Sequence, residues 1–224
     1  MSIVIAIDGT AACGKGTLAR RLAHHYGFAH LDSGALYRLV ALSVLDAGGD
    51  PANVADAVNS ARTIDPARVT DIRLRAVAVG EAASRVAAFP EVRAAILQFQ
   101  RDFAVRPPGG AQGAVIDGRD IGTVICPEAT VKLFIDARPE VRAQRRWLEL
   151  KGRNADSVPQ IAAVQAELLA RDARDRSRTA APLRQADDAT LLDTSDLDIE
   201  AAFAKALELV NPRIEKALAA RPRG

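Results

Sequence analysis

The chain has 224 residues, 49% of them hydrophobic, and a formal net charge of only +2. This length suits one α/β domain with insertions, and the apolar fraction is ample for a buried core. The small net charge argues against nucleic acid or a membrane as the main partner. The two cysteines, Cys13 and Cys126, match no metal-ligand spacing and indicate a reducing compartment. No run reaches transmembrane length or has the features of a signal peptide, so we expect a cytoplasmic monomer.

A phosphate-binding loop is predicted near the start of the chain. An apolar, β-branched run over residues 3–7 precedes Gly9, and Gly14-Lys15 completes the spacing Gly-x-x-x-x-Gly-Lys. Glycines let backbone N–H groups curl around a phosphate, and the helix predicted from residue 18 adds partial positive charge at its N-terminus. We therefore predict that Lys15 is catalytic and contacts the outer phosphates of ATP. The predicted ATP-binding residues are Gly9, Thr10, Ala11, Ala12, Cys13, Gly14, Lys15, Gly16 and Thr17.

The loop departs from the general pattern at Gly16, where a Ser or Thr usually binds Mg²⁺. The hydroxyl comes one residue later, at Thr17, as in the loops of nucleoside monophosphate kinases, which this Gly-Lys-Gly-Thr resembles. Asp117 ends a predicted strand over 113–117 and resembles the acid that bonds metal-bound water in P-loop proteins. A strand-end carboxylate can instead cap the next turn. We expect Mg²⁺ as the cofactor, with Thr17 and Asp117 as its ligands, directly or through water.

A second candidate site opens at Ser33. Residues 30–32 read as a short strand, and a helix follows that Asp32 or Ser33 can cap. Ser33 and Tyr37 are four residues apart on one face of that helix, and Arg38 follows. A hydroxyl, an aromatic ring and a guanidinium at this spacing can contact one nucleotide. The alternative is an ordinary capped helix with the Tyr and Arg on its surface.

Leu-Asp-Ser-Gly-Ala-Leu-Tyr-Arg at 31–38, together with the loop, resembles the bacterial cytidylate kinases. Three later motifs agree in the same order: Ala-Val-Ile-Asp-Gly-Arg-Asp-Ile-Gly-Thr at 114–123, Val-Lys-Leu-Phe-Ile-Asp-Ala at 131–137, and an arginine-rich stretch at 171–178 followed by Ala-Pro-Leu. The resemblance covers nearly the whole chain. It implies transfer of the γ-phosphoryl group of ATP to CMP or dCMP, giving ADP and CDP or dCDP, with these nucleotides as the only expected partners.

The resemblance also implies an acceptor-binding insert, here about 48–110. The pattern predicts a short helix over 53–60 and a helical stretch over 71–103 that Pro90 breaks. Such an insert usually includes a small antiparallel sheet, but residues 62–75 show no alternating strands, so the insert looks trimmed. Arg101 matches a family arginine that reaches the acceptor phosphate, although position alone favours a solvated helix face.

Residues 138–185 are predicted as a lid, a hairpin of two helices over about 138–152 and 158–178 joined by a loop. Arg171, Asp175 and Arg178 stand at i, i+4 and i+7 on one face. Two guanidinium forks there can hold phosphates, while the carboxylate, by resemblance, meets the pyrimidine nucleotide. The alternative is a solvated charged face.

Arg119 and Asp120 follow a parallel strand at its carboxyl end, the edge where ligands bind in open α/β sheets. By resemblance they line the acceptor site. The predicted catalytic residues are Lys15, Arg119, Arg171, Arg174 and Arg178, with Arg176 as the alternative to Arg174. The predicted CMP-binding residues are Ser33, Tyr37, Arg38, Arg101, Arg119, Asp120, Arg171, Asp175 and Arg178.

The order of elements predicts an α/β P-loop NTPase with about five parallel strands flanked by helices. We assign 1–47, 111–137 and 186–218 to the core. Two alternatives differ in function: a kinase for another acceptor, such as a different nucleotide or shikimate, and a nucleotide sensor without acceptor chemistry. The motif at 31–38 and the arginine-rich lid argue against both.

Overall fold

The computed structural model of the chain describes residues 2–153 and 158–220. Its five strands form one sheet in the order β2-β3-β1-β4-β5, and every neighbouring pair is parallel. The strands are β1 (Ile3–Gly9), β2 (Ala29–Asp32), β3 (Gly113–Gly118), β4 (Val131–Asp136) and β5 (Thr190–Asp193). A central parallel strand is covered on both faces, which explains why β1 is a continuous apolar run rather than an alternating one. The predicted five-stranded parallel sheet is confirmed.

The sheet is flanked by helices on both faces. The helices are α1 (Lys15–Tyr26), α2 (Ser33–Asp46), α3 (Val54–Thr63), α4 (Val77–Val86), α5 (Pro90–Val105), α6 (Pro139–Arg153), α7 (Ile161–Ser177) and α8 (Ile199–Ala219). On one face, α1 and α8 bury Leu18, Leu22 and Val210 against the sheet. On the other face, α2, α4 and α5 contribute to a larger apolar cluster that holds much of the core.

The insert has helices where the pattern indicated, with different boundaries. Two 3₁₀ turns, Pro66–Thr70 and Ile72–Arg75, precede α4, and residues 62–75 contain no strand. The predicted break at Pro90 is confirmed: α4 ends at Val86, and Pro90 begins α5. Proline lacks an N–H and has a fixed φ, so the first helical position accommodates it without loss of a hydrogen bond.

Helices α6 and α7 lie against each other and against the phosphate loop. A small cluster joins Ala11 of the loop to Ala143, Val164 and Leu168 of the two helices. Trp147 packs beside this cluster, and its Nε1 donates to the Pro159 carbonyl at 3.1 Å. The loop predicted between the two helices includes residues 154–157, which lie outside the described residues, as does the tail 221–224.

The carboxyl edge of the sheet is tightly built at Gly9, between β1 and the loop. Gly9 has φ +155°, and a Cβ there would lie 2.0 Å from the Ile135 carbonyl oxygen of β4. Glycine is therefore required where the chain leaves the sheet and enters the phosphate loop. Within the described residues, no helix is both long and apolar enough to cross a membrane.

Candidate active site

A cleft of about 800 Å³ opens at this edge of the sheet, between the phosphate loop, the insert and α7. It brings together many of the residues predicted from the sequence. Those that line it are Ala11, Ala12, Lys15, Gly16, Ser33, Tyr37, Arg38, Asp117, Arg119, Asp120, Arg171, Asp175 and Arg178. The predicted residues outside its lining are Gly9, Thr10, Cys13, Gly14, Thr17, Arg101 and Arg174.

The phosphate loop is held from inside the protein. Gly14, with φ +91°, precedes the first residue of α1, which is Lys15. The Lys15 side chain is buried, and its Nζ donates to the Thr10 carbonyl at 3.0 Å. Burial lowers the pKa of Lys15, and the nearby Arg119 guanidinium lowers it further. A cation that is costly to keep in this site is stabilised when a phosphate arrives.

The two predicted Mg²⁺ ligands are not brought together. Thr17 is exposed, its Oγ1 accepts from Arg20 at 3.3 Å, and it faces a smaller side cavity. Asp117 is buried in the cleft wall, with Oδ1 2.8 Å from His30 Nε2. Its Oδ2 lies beside the loop, 3.5 Å from where a Cβ on Gly16 would sit. One carboxylate next to a phosphate loop fits an ion held mainly by phosphate oxygens and water.

An arginine–carboxylate cluster links α7 to the turn after β3. Asp175, 1% exposed, accepts from Arg119 Nε at 2.9 Å through one oxygen and from Arg178 through the other. Burial alone would raise the pKa of Asp175, but Arg119 and Arg178 outweigh burial and hold that pKa below its usual range. Each carboxylate oxygen therefore accepts from one arginine and keeps a second lone pair, so the predicted contact of Asp175 with the nucleotide stays a prediction.

Arg171 lies beside this cluster without a carboxylate of its own at Nε. The Nε atoms of Arg171 and Arg178 are buried and have no hydrogen-bond partner in the described part of the chain. Burial lowers the pKa of Arg171 to about 10, and repulsion from Arg119 contributes. Since buried donors normally have partners, these two guanidiniums point to an anionic ligand in the cleft.

The sequence predicted Asp120 as a site residue, but its buried partner Arg93 was missed. Arg93 of α5 donates to Asp120 Oδ2 at 2.5 Å, and both side chains are buried. The Arg93 guanidinium also lies over the Tyr37 ring, 5.2 Å from its centroid. Burial raises the pKa of Tyr37, so its hydroxyl stays protonated. Ser84 of α4 is buried in the cleft wall, and its Oγ has no hydrogen-bond partner among the described residues.

One signal in the sequence could have identified this pair. Arg93, Ile96 and Gln100 stand at i, i+3 and i+7, so two polar residues share the apolar face of α5. Gln100 is 1% exposed, and its Nε2 donates to Ser33 Oγ at 2.7 Å. The Ser33 hydroxyl accepts this bond and keeps its own hydrogen to donate. Polar residues on a buried helix face require partners, and here those partners are site residues.

Three predicted cations lie elsewhere. Arg101 is exposed, and its guanidinium donates to the carbonyls of Val124 and Ile125 at 3.2 and 3.3 Å. It follows Gln100 directly, so its side chain leaves α5 about 100° further around the helix. Arg174 and Arg176 are exposed on α7 and do not line the cleft.

A carboxylate that was not predicted from the sequence, Asp8, supports the turn that carries Arg119 and Asp120. Asp8, at the end of β1, accepts from the backbone N–H groups of Ile121 and Gly122 at 2.7 and 2.8 Å. Burial raises the pKa of Asp8 to about 7. These bonds fix the start of the π-helical turn Ile121–Ile125, immediately after the two site residues.

Comparison with known proteins identifies the family to which the chain belongs. The sequence profile of the cytidylate kinase family matches residues 5–212. Cytidylate kinases from Rhodopseudomonas palustris strain TIE-1 and from Nitrobacter winogradskyi are each 56% identical to the chain over 208 residues, which is 93% of this chain and 95% of each relative. A solved structure of an uncharacterized protein from Eubacterium ventriosum shares the fold, with a TM-score of 0.53 at 14% identity over 93% of this chain and 98% of that one. The resemblance in the motifs is confirmed, and the chain belongs to the cytidylate kinase family.

Proposed function

We propose that the chain catalyses the reaction of its family, transfer of the γ-phosphoryl group of ATP to CMP or dCMP, with the cleft residues in specific roles. The observation that supports this proposal is that one cleft contains both a phosphate loop and a second set of buried charged groups. The phosphate loop with Lys15 lies at one end, and the Arg93–Asp120 pair lies at the other. Guanidiniums of Arg119 and Arg171 stand with them in the same cleft.

At the donor end, the backbone N–H groups of residues 12–16 and the Lys15 side chain would hold the β- and γ-phosphates. Asp117 would hold Mg²⁺ beside Gly16, through water. When bound, the ion neutralises charge on the phosphates of ATP. Thr17 is left out of this proposal because it faces the side cavity.

Between the two ends, Arg119, Arg171 and Arg178 would stabilise the transferring group and the acceptor phosphate. The attacking oxygen belongs to a phosphate that is already anionic, so no protein general base is required. Catalysis then consists of alignment and charge neutralisation, which are strongest where α7 and the insert exclude water. We assign Asp175 to holding Arg119 and Arg178 in place, since it accepts from both.

At the acceptor end, Arg93 and Asp120 offer donors and an acceptor side by side. The edge of cytosine presents the N4 amino group as a donor, next to ring acceptors. Asp120 would accept from N4, Arg93 would donate to the ring acceptors, and Ser84 Oγ would complete the set. Ser33 and Arg38, at the start of α2, lie where they can contact the rest of the nucleotide.

An ADP-release assay with Mg²⁺-ATP tests the proposal, using CMP, dCMP, UMP, AMP, GMP and no acceptor in parallel. Turnover with CMP and dCMP far above the other acceptors is expected. Turnover mainly with AMP or UMP would contradict the roles of Arg93 and Asp120. ATP binding without acceptor-dependent turnover would instead favour a nucleotide sensor. Light scattering on the eluted protein tests the monomeric state, and the cytoplasmic location stays a prediction.

A further inference from the structure

A buried ion pair between the two lid helices contacts the phosphate loop. Asp172 of α7 and Arg142 of α6 are 1% and 3% exposed, and Arg142 Nη1 lies 2.5 Å from Asp172 Oδ2. The other carboxylate oxygen, Oδ1, accepts from the backbone N–H of Ala11 at 3.0 Å. Arg142 Nη1 donates to the Ala11 carbonyl at 3.1 Å. The pair therefore engages both backbone polar groups of one loop residue.

Because its N–H donates to Asp172, Ala11 has no backbone amide available to bind a phosphate. Its neighbour Thr10 is also held, because its Oγ1 donates to Asp136 Oδ1 at 2.6 Å and its carbonyl accepts from Lys15. Residues 10–11 thus form an anchor for the loop, whereas the amides of residues 12–16 are left for the ligand.

The residue after this anchor has an unfavourable backbone. Ala12 has φ +60°, in the left-handed region that residues with a Cβ rarely adopt. Such a conformation persists where the surroundings fix it on both sides. On one side the fixed residue is Ala11, held by Asp172 and Arg142.

Asp172 and Asp175 of α7 bind different parts of the cleft. They are one turn apart on α7, yet Asp172 binds the phosphate loop while Asp175 binds the arginines of the acceptor side. A substitution at either residue should therefore change the binding of only one of the two substrates.

We propose that Asp172, with Arg142, is a positioning residue for the ATP end of the site: through Ala11 it sets the conformation of the phosphate loop. The proposal rests on the proposed function insofar as the loop binds ATP. It assigns to the lid helix a direct effect on the donor nucleotide that does not pass through the arginines facing the cleft.

The first test compares Asp172→Asn, Asp175→Asn and the matched exposed change Glu167→Gln on the same helix. An amide at 172 keeps the volume but places an N–H against Arg142 or Ala11, so one hydrogen bond is lost in either orientation. We expect Asp172→Asn to raise KM for ATP about tenfold and to change KM for CMP less than about twofold. Asp175→Asn should have the opposite pattern, and Glu167→Gln should change neither constant.

Equal effects on both substrates, or an unchanged KM for ATP in a folded Asp172→Asn protein, would overturn the proposal. ATP dissociation constants from calorimetry give the same comparison without turnover. Failure of the wild type to phosphorylate CMP would therefore count against the proposed function and leave this test intact.

A second variant separates positioning from stability. Replacing both partners, Asp172→Leu with Arg142→Met, removes the buried charges together and is tolerated far better than removal of one. We expect this double variant to unfold at a higher temperature than Asp172→Leu alone and still to bind ATP about tenfold more weakly, because Ala11 has lost both contacts. Recovery of wild-type ATP affinity along with stability would show that the pair is only structural.

Discussion

The donor and acceptor ends of the cleft are built in different ways. The donor end is one contiguous segment, residues 9–17, whose shape follows from a strand, a glycine-rich turn and a helix. The proposed acceptor end is assembled from α2, α4, α5 and the turn after β3, and its charges are paired with each other, as in Arg93–Asp120. A phosphate, common to all nucleotides, can be held by backbone amides, whereas a base must be distinguished by side chains. Those side chains need buried partners to stay in place.

The largest effect is expected at the donor end, from Lys15→Ala. This change removes the only side-chain cation of the loop itself, together with its hydrogen bond to Thr10. We expect kcat to fall at least about 100-fold, as for loss of a preorganised charge at a transferring group. The ADP-release assay at saturating ATP and CMP measures this, and Lys205→Ala on the exposed side of α8 is the control. Loss of less than tenfold would remove Lys15 from the centre of the reaction.

Asp120→Asn tests whether the proposed acceptor end affects CMP separately from ATP. The amide leaves the Arg93 charge buried without its carboxylate, so stability should fall by about 3 kcal/mol. Because the same pair faces the base, kcat/KM for CMP should fall about 100-fold while KM for ATP stays within about threefold. Urea unfolding and steady-state kinetics measure the two effects.

Asp102→Asn serves as the control for that variant, since Asp102 is a half-exposed carboxylate on α5 paired with Arg106. A comparable rise of the KM values for both substrates in Asp120→Asn would mean that the two ends are not separate.

Arg178→Lys tests the cations between the two ends. Lysine keeps the charge but cannot form a fork, and it would have to satisfy Asp175 and a phosphate oxygen from one ammonium. We expect kcat to fall about tenfold, with the fold retained, and the exposed Arg184→Lys to have no effect. Full activity of Arg178→Lys would show that this position needs only a positive charge.

The same contrast explains what could be predicted from the sequence. The sheet, the phosphate loop and the motifs at 31–38 and 171–178 depend on local patterns, and the structure contains the sheet and brings most of the predicted residues into one cleft. Asp8 was missed because a carboxylate at a strand end looks like a turn residue, and its role depends on the backbone of residues 121–122, more than 100 residues away.

Arg93 and Asp172 were missed for the same physical reason. Each is a charged residue on a helix, where an exposed position is the usual expectation, and only the packing of another element supplies its partner. The boundaries of the helices inside the insert do not follow from local preference. Pro90 can end one helix or begin the next, and the packing of α4 and α5 decides between the two.

The smallest effect is expected from Arg101→Ala. The sequence and the structure indicate different roles for this residue. Arg101 was expected at the acceptor phosphate, but its guanidinium holds the carbonyls of Val124 and Ile125. Loss of these two exposed hydrogen bonds should lower stability by about 1 kcal/mol. We expect kcat/KM for CMP to stay within about twofold of wild type, because the turn that carries Arg119 and Asp120 is still fixed by Asp8. A tenfold loss for CMP with an unchanged KM for ATP would return Arg101 to the acceptor site and would require the insert to move when CMP binds.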